Sequence, residues 1–396
     1  MAVVKNSIKV YPVGNGDQTL ITLSDETTLL VDCNIREGCK GDDNKEMYDV
    51  HKDLLSSIKR RNKIPFVDVF ILTHGDQDHC RGFKANFYQG DPKNYGEKHL
   101  KEELIIMDTM WFSPMIAEQY TNDDEDAHQC EAERRLKMHR EKHAEKDNPG
   151  NRIKIIGYDS NKDYKDLNHL RAVPGDIVSR FNDKDHDTFS IFIHAPFKIH
   201  LDSNEKDKNS ASIVFQARFK ESSTSKDFSC LVFFTGDSDY TTWETILKRT
   251  KRFKNDVNKK ALNWDIFIAP HHCSWTFFNQ HPQEDNPEPV ATSLEALSFK
   301  NKGAKVVASS KKIKNNTDNP PHHKAKAEYV KVVGESNFLN TSTNDMDGDT
   351  PQPIIFVLTP NGPTKSPNSK IGGALTSGGG GGAASTFIKQ GSQNVF

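Results

Sequence analysis

The segment Thr73-His74-Gly75-Asp76-Gln77-Asp78-His79 carries four side chains able to ligate a metal within six residues. It directly follows Phe66 to Leu72, a continuous apolar run of the kind that a sheet buried on both faces requires. A loop leaving such a strand can turn alternate side chains into one cavity, so that His74 and Asp76 serve one cation and Asp78 and His79 a neighbour. The competing reading is a polar turn that happens to be rich in Asp and His. Ionisable groups crowded at the end of an apolar strand repel one another or stay unpaired unless a cation joins them, which favours the ligand set. The chemistry open to such a set is metal-assisted, a cation activating water and offsetting charge on an oxygen.

The elements that must position this loop read as short strands separated by polar turns. Ile8 to Val13, Thr19 to Leu23 and Thr28 to Asp32 are expected to be strands, the first two joined through the Gly14-Asn15-Gly16-Asp17 turn. A helix is expected from about Met47 to Arg61. Strand patterns return at Phe189 to His194, Ala211 to Phe219, Cys230 to Phe234, Ile266 to Ala269, Lys305 to Ser309 and Ile354 to Leu358, each close to a polar cluster. From about 115 to 147 the chain is dense in Glu, Lys, Arg and His and poor in large apolar residues, which reads as a mostly solvated helical insertion. Residues 1–360 are thus expected to form one α/β domain with that insertion. Residues 361–396, Gly- and Ser-rich and including the run Gly378 to Gly382, are expected to be a flexible tail.

A hydrophobic share of 35% beside a charged share of 27% suits a core with long polar excursions. The formal net charge of −2 gives no overall pull toward nucleic acid, so any polyanion site must be local. Cys33, Cys39, Cys80, Cys130, Cys230 and Cys273 form no C-x-x-C pair and indicate neither a disulfide framework nor a thiolate zinc site. No stretch approaches the roughly 18 apolar residues that span a bilayer, and the N-terminus lacks signal-peptide features, so a cytoplasmic protein without membrane association is expected.

The His74 to His79 segment resembles the H-x-H-x-D-H signature of the metallo-β-lactamase superfamily, in an H-x-D-x-D-H form similar to that of the ComEC-type hydrolase domains of DNA-uptake channels. The similarity recurs in order along the chain. Val13-Gly14-Asn15-Gly16-Asp17 resembles a V-G-Q-G-D turn, Leu30-Val31-Asp32 an L-I-D strand end, and Asn209-Ser210-Ala211-Ser212 an N-x-x-S segment. Thr235-Gly236-Asp237 resembles T-G-D, and His271-His272-Cys273-Ser274 resembles H-H-G-S with cysteine in place of glycine. Asn319-Pro320-Pro321 followed by His322 or His323 is similar to a late histidine-bearing loop.

This resemblance implies an αββα sandwich and two divalent ions, zinc or manganese, both compatible with a ligand set rich in carboxylates. It implies His74 and Asp76 on one metal, Asp78, His79 and His271 on the other, and Asp237 as the bridge. Asp32 is implied to orient a ligating imidazole, with Asn209 and Ser212 supporting ligands or substrate and His272 either doing the same or itself ligating, His271 or His272 being the one that enters the site. Asp78 belongs to the catalytic set, together with His322 or His323 protonating a leaving oxygen or contacting a phosphate. Many members supply a third histidine to the first metal from mid-chain, where this sequence offers Asn209 and Ser212; His194 and His200 are alternative donors.

The activity implied is a phosphodiesterase or nuclease acting on DNA or another nucleic acid. Lys248 to Lys260 contain seven Lys or Arg against one Asp, and Lys300 to Lys331 nine Lys against one Asp and one Glu. Either these stretches meet a phosphate backbone or they are solvated faces. Trp275, Phe277 and Phe278 either stack on bases or pack in the core. Alternatives are a hydrolase of cyclic nucleotides or other small molecules, and an inactive metal-containing sensor or binding module that meets a protein partner through the insertion or tail.

Overall fold

The computed structural model describes residues 5–41, 45–117, 122–159, 162–200, 208–252, 260–316 and 320–367. Its strands alternate between two destinations. In Thr28–Val31, Leu29 and Val31 join one apolar cluster while Leu30 joins another. In Cys230–Phe234, Val232 and Phe234 share the cluster of Leu29, and Phe233 faces away from it. This period of two is what a strand covered on both faces imposes on its side chains. The shared cluster lies between two sheets, and each outer cluster lies between a sheet and its helices.

The first sheet runs, in spatial order, Gly362–Lys365, Ile354–Thr359, Ser7–Val10, Thr19–Thr22, Thr28–Val31, Ile64–Ile71, Ile106–Phe112, Arg152–Ile156 and Arg171–Ala172. Pairing is antiparallel as far as Thr28–Val31 and parallel beyond it, with Lys59–Arg61 added to Ile64–Ile71 as a short antiparallel partner. The second runs Phe338–Asn340, Lys300–Ala308, Trp264–Ile268, Cys230–Phe234, Val214–Phe219, Phe189–Ala195 and Ile177–Val178, its first four strands parallel. Val50–Ser57, Phe83–Asn86 and Asp123–Arg140 cover the outer face of the first sheet. Tyr240–Thr250, Ala291–Ser298 and His323–Val333 cover that of the second. The protein is therefore mixed α/β, layered helix, sheet, sheet, helix. Among the described residues no helix is long and apolar enough to cross a membrane, and no cysteine is in a disulfide.

Several expectations need correction. The helix expected over Met47 to Arg61 ends at Ser57, and Lys59–Arg61 is a strand. The tail does not begin at 361, because Gly362–Lys365 pairs with Ile354–Thr359; the Gly378 to Gly382 run lies outside the described residues. Ile106–Phe112, unmarked in the sequence reading, is a buried strand whose apolar run is interrupted by Asp108; that carboxylate accepts from Arg61 and Asn182.

The charged insertion is not mostly solvated. Asp123–Arg140 buries Glu125, His128, Glu131, Ala132, Arg135, Leu136 and His139. Burial of Glu131 and Arg135 is tolerated because they are paired: Arg135 donates to Glu131 at 2.7 Å and to the carbonyls of Arg152 and Met107 at 2.9 and 3.0 Å. Acidic residues fill its first turn and Lys137, His139 and Arg140 its last, the arrangement that opposes the helix dipole.

Phe215 lies in the layer between the sheets, its ring 4.8 Å from that of Phe234 and 6.4 Å from Trp111. Phe215→Ala should cost about 3–5 kcal/mol, read as a lower urea midpoint at unchanged slope.

Candidate metal centre

Parallel strands deliver their following loops to the same edge of a sheet, and main-chain hydrogen bonds then join those loops. The amide of Cys33 donates to the carbonyl of His79 at 2.8 Å, and that of Asp17 to Asp78 at 3.1 Å. Ile213, entering the second sheet, donates to Thr73 of the first at 2.9 Å, and His271 donates to Gly236 at 3.1 Å. Segments far apart in the chain are thereby brought around Asp237, which is 2% exposed.

Each oxygen of Asp237 faces a different pair of imidazoles. Oδ1 lies 2.9 Å from His79 Nε2 and 3.6 Å from His272 Nε2. Oδ2 lies 3.7 Å from His271 Nε2 and 4.0 Å from His74 Nε2. Asp78 Oδ2 stands 3.1 Å from His272 Nε2 on the first side, and Asp76 Oδ2 stands 3.4 Å from His74 Nε2 on the second. His271 thus keeps company with His74 and Asp76, not with Asp78 and His79 as the expected grouping had it.

The hydrogen bonds on the far side of each ring decide which nitrogen carries a proton. Asp32 Oδ2 is 2.9 Å from His79 Nδ1, and Asp32 also accepts from the Thr73 amide and hydroxyl at 2.6 and 2.5 Å. With its proton held at Nδ1 by that carboxylate, His79 presents a lone pair at Nε2. Thr276 Oγ1 donates to Ser274 Oγ at 3.0 Å and lies 3.4 Å from His271 Nδ1, placing an acceptor there too. Ser212 Oγ accepts from the Asp237 amide at 3.1 Å and lies 3.5 Å from His74 Nδ1. His74 Nε2 is buried without a hydrogen-bond partner.

His272 is different: its Nδ1 accepts from the Gly16 amide at 3.2 Å, so the neutral ring carries its proton at Nε2, which lies 3.1 Å from Asp78 Oδ2 without hydrogen-bond geometry. Donor atoms of the buried Asp17, His79 and His272 all lie within 4.8 Å of one another, so this Asp/His/His group could hold a metal ion. For His272 to ligate through Nε2, the Gly16 hydrogen bond would have to yield.

Charge follows the same geometry. Burial pushes the Asp237 carboxyl upward, but His79, then His271 and His272, hold it well below the usual carboxylate range. Burial also opposes a charged His79, yet Asp237 and Asp32 raise it well above an ordinary imidazole. Burial pulls His272 down and Asp237 and then Asp78 oppose it, while the Gly16 amide on Nδ1 leaves no place there for a second proton. Asp17, pushed up to about 6 chiefly by burial, was given no role in the sequence reading although it closes the V-G-N-G-D turn. Protons here stand where a cation fits: buried carboxylates and imidazole lone pairs converge with too few donors among them.

The remaining candidates divide. His322 is buried, its amide donates to Cys273 at 3.0 Å and its Nδ1 accepts from the Trp275 amide at 2.8 Å, whereas His323 is exposed. The Asn209 carbonyl accepts from the Ser212 amide at 3.1 Å. His194 is packed against Phe192 and Phe233 and lies 3.4 Å from Thr250 Oγ1, away from the cluster. The His200 side chain and Asn319 fall outside the described residues. Trp275, Phe277 and Phe278 are core residues of the second helical layer. Comparison with known family models and with curated proteins found no match.

Replacing Asp32 by Asn should present an amide N–H to His79 Nδ1 and move the ring's proton to Nε2. A loss of about 10–100-fold in affinity for Zn²⁺ or Mn²⁺, measured by chelator competition, is expected; unchanged affinity would deny Asp32 this role.

Proposed function

We propose that the chain is a metal-dependent hydrolase of metallo-β-lactamase type that cleaves phosphodiesters. The observation that carries this reading is the division of Asp237: one oxygen toward His79, the other toward His74 and His271. His74, Asp76 and His271 would hold one divalent ion and Asp78 and His79 another, with Asp237 between them and Asp17 at the margin of the second. Such ions, zinc or manganese, would supply activation of water and neutralisation of phosphoryl charge. The four-layer arrangement and the ordered motifs support the same family.

The protein's own part is positioning and proton placement. Asp32, Thr276 and Ser212 fix rings, and His272 stands against the carboxylate of Asp78. His322, lowered by burial, stays neutral near pH 7 with its proton at Nε2, a hydrogen-bond donor suited to a phosphate oxygen.

Two substrate sizes remain in play, and one observation favours the smaller. Lys251 and Lys260 pair with Glu295 and Asp227, and Lys326 and Lys331 with Glu335 and Glu328, so part of the basic charge noted in the sequence is already neutralised. Residues 253–259, within one basic stretch, lie outside the described residues. A small phosphodiester such as a cyclic nucleotide needs less of that charge than a nucleic-acid strand. A protein partner on the insertion would be confined to its outer face.

The test is hydrolysis of single-stranded, linear and circular DNA, RNA and cyclic dinucleotides with Mn²⁺ or Zn²⁺, then with chelator. Activity should vanish with chelator and fall roughly a thousandfold or more in Asp237→Ala and Asp78→Ala. His322→Ala should lose about a hundredfold, and His323→Ala should behave as the parent. Metal-loaded parent protein without cleavage would point to a binding module.

A further inference from the structure

Between the four ligand candidates of the His74 to His79 loop stand Gly75 and Gln77, and both are gripped from outside the cluster by the start of the charged helix. Asn122, the N-cap residue of Asp123–Arg140, donates from Nδ2 to the Gly75 carbonyl at 3.0 Å. Its Oδ1 accepts from the amides of Asp124 and Glu125 at 3.1 and 3.0 Å. Packing at Gly75 is close: a Cβ there would stand 3.1 Å from Ile116 Cγ2 and 3.3 Å from Glu125 Cγ.

Asp124 makes the wider grip. Its Oδ2 accepts from Gln77 Nε2 at 2.7 Å and from the Gly82 amide at 3.1 Å, and its Oδ1 accepts from the Lys84 amide at 2.9 Å. One carboxylate therefore ties the residue between Asp76 and Asp78 to the first turn of Phe83–Asn86, whose free amides it satisfies. The loop is pinned at its alternate residues, and those that follow them, Asp76 and Asp78, stand against His74 and His272. Ligand positions must hold within about 0.5 Å to bind a cation well, and that tolerance demands locked supports.

We propose that Asp124 is a positioning residue of the metal centre, setting the orientation of Asp76 and Asp78 through Gln77. This rests on the metal-centre reading above. A purely structural capping role would be confined to the bonds to Gly82 and Lys84, whereas the bond to Gln77 reaches the ligand loop.

The full-length parent, Asp124→Ala, Gln77→Ala and Gln77→Glu would be compared by Co²⁺ titration, by the Co²⁺ absorption spectrum and by urea midpoint. Gln77→Ala leaves the capping bonds intact, so its midpoint should match the parent while Co²⁺ affinity falls about tenfold and the absorption bands shift; Asp124→Ala should lose about 10–100-fold. Gln77→Glu, which sets two carboxylates face to face, should weaken Co²⁺ binding more than Gln77→Ala. Parental affinity and spectrum in Gln77→Ala would overturn the proposal, even if Asp124→Ala failed to fold. A parent chain that takes up no Co²⁺, Zn²⁺ or Mn²⁺ would overturn the metal-centre reading itself.

Discussion

Asp237 leaves the second sheet and meets His79 from the first, at a depth where a carboxylate keeps only 2% of its surface exposed. A buried anion is costly unless positive or hydrogen-bonding partners surround it. Four imidazole Nε2 atoms lie within 4.0 Å of its oxygens, and the rest of the site serves to keep them there. Asp32 accounts for His79, Gly16 for His272, Thr276 for His271 and Ser212 for both His74 and the Asp237 amide. Each support comes from a loop that a parallel or antiparallel strand has already fixed, so the sheets, not local propensity, determine the charge distribution.

One local price is visible in the backbone. His271, His272 and Cys273 have φ of 48°, 54° and 70°, and Asp32 has φ of 57°. The left-handed region costs roughly 1–2 kcal/mol per non-glycine residue, and such strain gathers where a site requires it. Here the requirement is geometric. In an extended strand consecutive side chains point to opposite faces; the left-handed turn lets both His271 and His272 approach the same carboxylate. The resemblance has glycine where this chain has Cys273, and the conformation shows why glycine suits the position. Cys273 keeps it with a fully buried side chain that joins the second helical layer.

Much of this was legible in the sequence because strands with both faces covered are written as uninterrupted apolar runs. Cys230–Phe234 matches its expected bounds and Ile64–Ile71 differs only at its ends. Ile106–Phe112 was hidden by Asp108, since no local pattern says that Arg61 and Asn182 will meet that carboxylate. The charged helix misled for the same reason: its polar surface is satisfied by ion pairs and strand carbonyls that only tertiary structure supplies. Within the site, the types of residue at 74, 76, 78, 79, 237 and 271 were readable. Their grouping was not, because which imidazole faces which oxygen depends on the turn at 271–273. Asp17 escaped notice as one acidic residue in a glycine turn.

The hydrogen bond from Asn15 Nδ2 to the carbonyl of Pro320, 2.7 Å long across 305 residues, closes the rim of the centre. Asn15 also accepts the Lys311 amide at 2.9 Å, and Ser309 donates to the Gly16 carbonyl at 2.6 Å. Contacts of such sequence separation carry a loop-closure cost that the pairing of the intervening strands offsets, as where Ser7–Val10 pairs with Ile354–Thr359. The cluster around Asp237 is thus a keystone shared by both sheets: a fragment lacking either one loses part of it, and its intact geometry reports that the two have come together.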